Sequence, residues 1–165
     1  MRYLLICILL FVSVACEQQE AVIPAEGEAA KPVHGDTFIE ASIGEPNNLL
    51  PVLASDSASS DINGKVYNGL IRYDKNLQLE GELAESWEIS EDKLSFTFHL
   101  RKDVTWHDGA PFTSADVLFT YQLYINPDVP TSYAEDFLQV AKAEAPDPYT
   151  FRVTYEKPYA PALES

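Results

Sequence analysis

Cysteine is scarce in this chain. There are two in 165 residues, Cys7 and Cys16, and none after position 16. That leaves no thiol pair for a disulfide in the remainder, so its stability must come from packing. Positive charge is scarce too: 11 Lys and Arg face 26 Asp and Glu, for a net charge of −15. A nucleic-acid backbone or an anionic lipid surface needs a basic patch, so neither is expected as a partner. The acidic balance does not in turn imply a cationic substrate, because acidic surfaces mostly keep proteins soluble. Long apolar runs are lacking as well. The longest, residues 3–14, is 12 residues, short of the roughly 20 that span a bilayer. Catalytic signatures are missing. Ser55, Ser57, Ser59 and Ser60 are close together, but no G-x-S-x-G elbow is present. The glycines form no phosphate loop. The three histidines, His34, His99 and His107, follow no metal-ligand spacing. Neither an enzyme, a metal nor a cofactor is expected.

What is present begins with an export signal. Arg2 supplies a positive charge, the apolar run follows, and Ser13-Val14-Ala15-Cys16 ends it. Small residues at 13 and 15 suit an ordinary signal peptidase. A cysteine just after the cut suits lipoprotein processing, and both routes cut the same bond. Lipidation of Cys16 is the favoured reading, because Cys16 leads straight into a tether. Residues 1–15 are then a signal peptide, and residues 16–36 the lipidated cysteine and a flexible acidic linker. That linker is rich in Glu, Ala, Gln, Pro and Gly and has too little apolar surface to offset its chain entropy. His34 is read as a solvated linker residue.

Residues 37–165 carry the folded region. Within it, residues 95–117 read as three elements in a row. Leu94, Phe96, Phe98 and Leu100 alternate with Ser95, Thr97 and His99, which predicts a half-buried strand with His99 on its polar side. His107-Asp108-Gly109-Ala110-Pro111 is a turn in which Asp108 bonds its own backbone. Thr113 and Asp116 have capping-box spacing, and Phe112 and Val117 that of a hydrophobic staple. Val117, Leu118, Tyr121, Tyr124 and Ile125 then share one helical face, and Asn126-Pro127 ends the helix.

Elsewhere, strands are predicted over residues 37–43, 70–73, 77–79 and 86–89. A short helix is predicted over 57–67, with Ser57 or Ser59 as cap, and a second over 132–139. Residues 149–155 alternate and should pair with an earlier strand. Short strands joined by tight turns, with helices on one side, make an α+β fold.

The wording of these segments says more than their periodicity. Phe98-His99-Leu100-Arg101-Lys102-Asp103-Val104, Trp106-His107-Asp108-Gly109, Pro111-Phe112-Thr113 and Ala115-Asp116-Val117 closely resemble the signature of the extracellular solute-binding proteins of family 5. These are the peptide- and nickel-type binding proteins of ABC importers. In the same order, Val66-Tyr67-Asn68-Gly69-Leu70-Ile71-Arg72-Tyr73-Asp74, Leu83-Ala84-Glu85-Ser86-Trp87-Glu88, Ala145-Pro146-Asp147-Pro148-Tyr149-Thr150-Phe151 and Lys157-Pro158-Tyr159-Ala160-Pro161 also resemble it.

The resemblance implies a type II periplasmic-binding-protein-like fold of the peptide-binding class, whose two lobes close over a ligand. Family members are far longer, so residues 37–165 are read as an incomplete, N-terminal part of one lobe. The implied function is capture of a peptide or similar small solute outside the cytoplasmic membrane, and its delivery to an ABC permease. The chain would be exported, periplasmic or at the cell surface, and held by the lipid on Cys16. A surface lipoprotein that keeps part of the fold for a structural or interaction role is the other reading.

The resemblance also places the loop after the first strand against the ligand, with Glu45, Asn47 and Asn48 in it and Tyr133 as an aromatic wall. The residues themselves equally allow Asn47-Asn48 to be a plain turn and Tyr133 to pack on the domain. The acidic group that holds a peptide's amino end in such proteins would lie beyond Ser165.

Overall fold

A computed structural model describes Gly35 and residues 39–163. The predicted signal peptide, Cys16, His34, most of the predicted linker, and Thr37 and Phe38 of the first predicted strand lie outside the described residues. The chain divides into two units, Met1–Glu40 and Ala41–Ser165. All the elements described below belong to the second.

Its centre is a four-stranded antiparallel sheet formed by β3 (Ala84–Ile89), β4 (Ser95–Leu100), β5 (Val140–Asp147) and β6 (Thr150–Tyr155), in the order β3-β4-β6-β5. The alternation around β4 is realised as predicted. Phe96, Phe98 and Leu100 are buried, while Ser95, Thr97 and His99 stand on the other face. Strand β6 supplies the matching face with Phe151, Val153 and Tyr155. Register places Phe98 opposite Phe151 and Phe96 opposite Val153, and the Phe98 and Phe151 rings stack at 6.5 Å. On the polar face, partners opposite one another bond across the strands: Ser95 with Thr154 at 3.2 Å, and Arg152 Nε donates to Thr97 at 3.1 Å. His99 Nε2 lies 3.2 Å from Glu88 Oε1, so it is a hydrogen-bonded surface residue.

Helix α1 (Ser57–Val66) comes before the sheet, α2 (Ser114–Tyr124) and the single-turn α3 (Ala134–Phe137) between β4 and β5. Helix α2 packs on β5 and β6. Val117, Leu118 and Tyr121 face the core, where Phe112 is buried. The capping box is formed: Asp116 Oδ2 accepts the Thr113 N–H at 2.7 Å and the Thr113 hydroxyl at 3.0 Å. Ser114, 1% exposed, ties the helix start to the β5–β6 hairpin. Its N–H donates to Pro148 O at 2.9 Å and its hydroxyl to Asp147 O. The turn ahead of the cap closes through Gly109 at φ +87°, a conformation that favours glycine. Asp108 Oδ1 accepts the Ala110 N–H at 2.9 Å there, as the Asx reading required.

Several expectations need correction. Residues 39–43 form no strand. The alternation of Ile39, Ala41 and Ile43 joins no ladder among the described residues, and Ile43 is fully exposed. The cap of α1 is Asp56, not Ser57 or Ser59: its carboxylate accepts the Ser59 N–H at 2.9 Å. The hairpin predicted at 70–73 and 77–79 is β1 (Ile71–Tyr73) and β2 (Leu79–Gly81). Its second strand starts two residues late because Asp74 Oδ1 gathers the Asn76 and Gln78 N–H groups into a longer turn. A Cβ on Gly81 would run into the Ala84 carbonyl, so the corner into β3 requires glycine. The helix predicted over 132–139 shrinks to four residues. Strand β5 has no counterpart among the predicted strands, since Pro146 and three alanines blur its period; it is an edge strand, where proline is tolerated.

Candidate functional site

Helix α1 holds the loop that carries Glu45, Asn47 and Asn48. Its buried face is Ala58, Ser59 and Asn63, and Ser59 is fully enclosed. Ser59 Oγ accepts the backbone N–H groups of Asn47 at 3.0 Å and Asn48 at 3.1 Å. It donates to Asp56 Oδ2 at 2.6 Å. These bonds hold the Asp56 carboxyl below its ordinary value, the Ser59 hydroxyl contributing most and the Ser59 N–H next. Asn48 Oδ1 accepts the Leu50 N–H at 2.9 Å and turns the chain into the short 3-10 helix Pro51–Leu53.

Tyr133 reaches the same segment from 79 residues away. Its hydroxyl donates to Ala54 O at 3.0 Å. Its ring meets Tyr124 edge-on at 6.2 Å, and Tyr124 stacks on Phe137 at 4.2 Å. Burial, and then the neighbouring Tyr133, pushes the Tyr124 phenol up. The structure therefore joins Tyr133 to the segment that carries Asn47 and Asn48. Glu45 is exposed and makes no bond to either.

Reading the sequence missed Asp56 and Ser59 as organisers of this loop. The available signal was an Asp three residues before a Ser at a helix start. Asn63, one turn further along α1, is also buried, and its Nδ2 has no acceptor among the described residues.

Two hollows lie elsewhere. One of about 380 Å³ is lined by Leu138, Val140, Tyr155 and Tyr159 among others. The second, about 220 Å³, includes His99, Lys102, Asp147 and Tyr149. Neither is lined by Glu45, Asn47, Asn48 or Tyr133. Asp147 is held below the ordinary carboxylate value, first by the Tyr149 N–H and then by Thr150, with His99 and Lys102 adding a smaller pull. It accepts the Tyr149 N–H at 2.9 Å, so it serves the hairpin. Among the described residues, no cluster of three His, Cys, Asp or Glu could hold a metal ion. The arrangement is a loop fixed by Ser59 and tied at Ala54 to an aromatic cluster of Tyr133, Tyr124 and Phe137.

The profile of bacterial extracellular solute-binding proteins, family 5 Middle, matches residues 78–165. The chain belongs to this family. It is 33% identical to heme-binding protein A of Haemophilus influenzae over 171 residues, which covers 92% of this chain and 31% of that protein. It is 31% identical to the oligopeptide-binding protein AppA of Bacillus subtilis, over 78% of this chain and 24% of that one. In three dimensions it resembles Haemophilus influenzae OppA in complex with the peptide RPPGFSPFR. The TM-score is 0.67 at 32% identity, across 72% of this chain and 26% of that one. The family resemblance and the peptide-binding class of fold inferred from the sequence are thus borne out. The family is one of binding proteins rather than enzymes. The chain spans less than a third of the length of these curated relatives.

Proposed function

We propose that this family 5 chain is the substrate-binding component of an ABC importer. It captures peptides or a similar small solute outside the cytoplasmic membrane and delivers them to the permease. The observation that carries this reading is the likeness, in sequence and fold together, to a solved peptide complex over 72% of the chain. Relatives whose names specify heme and oligopeptides keep the solute class broad.

In this reading the described residues supply part of one lobe, and ligand stabilises the closed form through contacts unavailable when the lobes are open. Asn47, Asn48 and Tyr133 contact the ligand, and Glu45 flanks them on the exposed rim. The ordering of the Asn47-Asn48 backbone by Ser59 supports that role, because a contact surface held in place loses less entropy on binding. Residues 1–15 direct export, and the lipid on Cys16 holds the protein at the membrane.

Uptake of a labelled mixture of short peptides, by cells with and without the gene for this chain, tests the proposal. Loss of uptake on deletion, restored by wild type and weakened when the restoring copy carries Asn48→Ala, is the expected result. Undiminished uptake of every peptide by the deletion strain overturns the peptide assignment.

A further inference from the structure

We infer that Ser59 is the positioning residue of the ligand-facing loop, and that it sets Asn48 to offer hydrogen-bond donors. The inference rests on the reading of residues 45–50 as ligand-facing. A serine hydroxyl has one hydrogen and two lone pairs. All three are committed here: the hydrogen to Asp56 Oδ2 at 2.6 Å, the lone pairs to the N–H groups of Asn47 and Asn48 at 3.0 and 3.1 Å. Asn47 Oδ1 lies 3.4 Å from the same oxygen, but the hydrogen goes to the shorter bond with the carboxylate.

Ser59 is 0% exposed, so the acceptor of the two N–H groups is an enclosed hydroxyl, and replacing it by a methyl group takes that acceptor away. With the backbone at 47 and 48 fixed, Asn48 Oδ1 accepts the Leu50 N–H at 2.9 Å. An N–H donor requires oxygen there, which settles which way the side-chain amide is turned. Its Nδ2 hydrogens are then left for a ligand, and they select a group with an acceptor oxygen, a carbonyl or a carboxylate. Tyr133 pins the far end of the same segment at Ala54, so the stretch between is held at both ends.

Amide hydrogen exchange of the full chain, read residue by residue by NMR without any ligand, tests this independently of what the protein binds. Ser59→Ala is expected to speed exchange at Asn47 and Asn48 by about tenfold, as loss of roughly one net hydrogen bond per amide implies. The amides of β4 and β6 keep their wild-type rates. Ser59→Thr, which retains the oxygen, restores protection at both positions. Unchanged exchange at Asn47 and Asn48 in Ser59→Ala overturns the inference. So does acceleration spread evenly over the sheet, which would make Ser59 a residue of general stability. Failure of the transport proposal with these exchange results intact would leave Ser59 ordering the loop and remove only its assignment to a ligand.

Discussion

Replacing Asp116 by alanine is expected to cost about twice as much stability as replacing Thr113, although Thr113 is the residue at the cap. The carboxylate of Asp116 accepts two hydrogen bonds from Thr113, 2.7 Å from its N–H and 3.0 Å from its hydroxyl, while the Thr113 side chain faces the Asp116 N–H in the other half of the box. Thr113→Ala removes only the hydroxyl, a loss of about 1 kcal/mol for a cap. Asp116→Ala removes both acceptor contacts. It also removes a negative charge from the first turn of the helix, a further contribution of about 0.3–1 kcal/mol when partly exposed. Together these come to about 2 kcal/mol.

With a urea dependence of about 2 kcal/mol per molar, the midpoint falls by about 1 M. Trp106 is a natural reporter, because its ring sits 5.9 Å from that of Phe112, immediately ahead of the cap. The double variant separates the two side chains. If the Thr113 hydroxyl acts in part through the Asp116 carboxylate, losing it costs less once Asp116 is gone, the remainder being its contact with the backbone N–H at 116. Asp116→Asn, which keeps an acceptor oxygen and loses the charge, should fall between wild type and Asp116→Ala. A midpoint for Asp116→Ala equal to that of wild type, or losses that simply add in the double variant, would refute this reasoning.

Three further outcomes are expected. Cys16→Ala releases the protein from membranes, and equal retention of variant and wild type on fractionation would reject lipid anchoring. If capture needs closure of two lobes, residues 16–165, tested without a second lobe, bind short peptides only at about millimolar affinity or weaker, because a ligand on an open loop keeps its water while ordering each side chain still costs roughly 0.5–1.5 kcal/mol; saturable micromolar binding in a calorimetric titration would sink this. Asp56 has a folded value below its ordinary 3.8, so its contribution to the helix start is full above the unfolded value and fades as pH falls through the lower folded one. The Ser59 amide signal should therefore titrate with a midpoint below 3.8 in wild type and stay flat in Asp56→Asn; a wild-type midpoint at or above that value contradicts the bond.

Local chemistry made much of the core legible from the chain alone. The alternation of Phe96, Phe98 and Leu100 is a period-two signal complete within one strand, and those three side chains are buried. The Asp108-Gly109 turn and the Thr113–Asp116 box are likewise satisfied within a few residues of themselves. The order of family-like segments carried the fold class. Other features depend on partners distant in sequence, and periodicity says nothing about those. The insertion of β6 between β4 and β5 is such a case. So is the rank of β5 as an edge strand, which makes room for Pro146.

The candidate site is the clearest instance. Asn47 and Asn48 could be found as turn residues from their own sequence. The bonds from their N–H groups to Ser59, 12 and 11 residues away, could not. Nor could the bond from Tyr133 to Ala54 across 79 residues. A serine reads alike in a sequence whether its hydroxyl meets water or two backbone amides. Only enclosure by the folded chain, which removes the water, gives those amides a single partner and the loop a single shape.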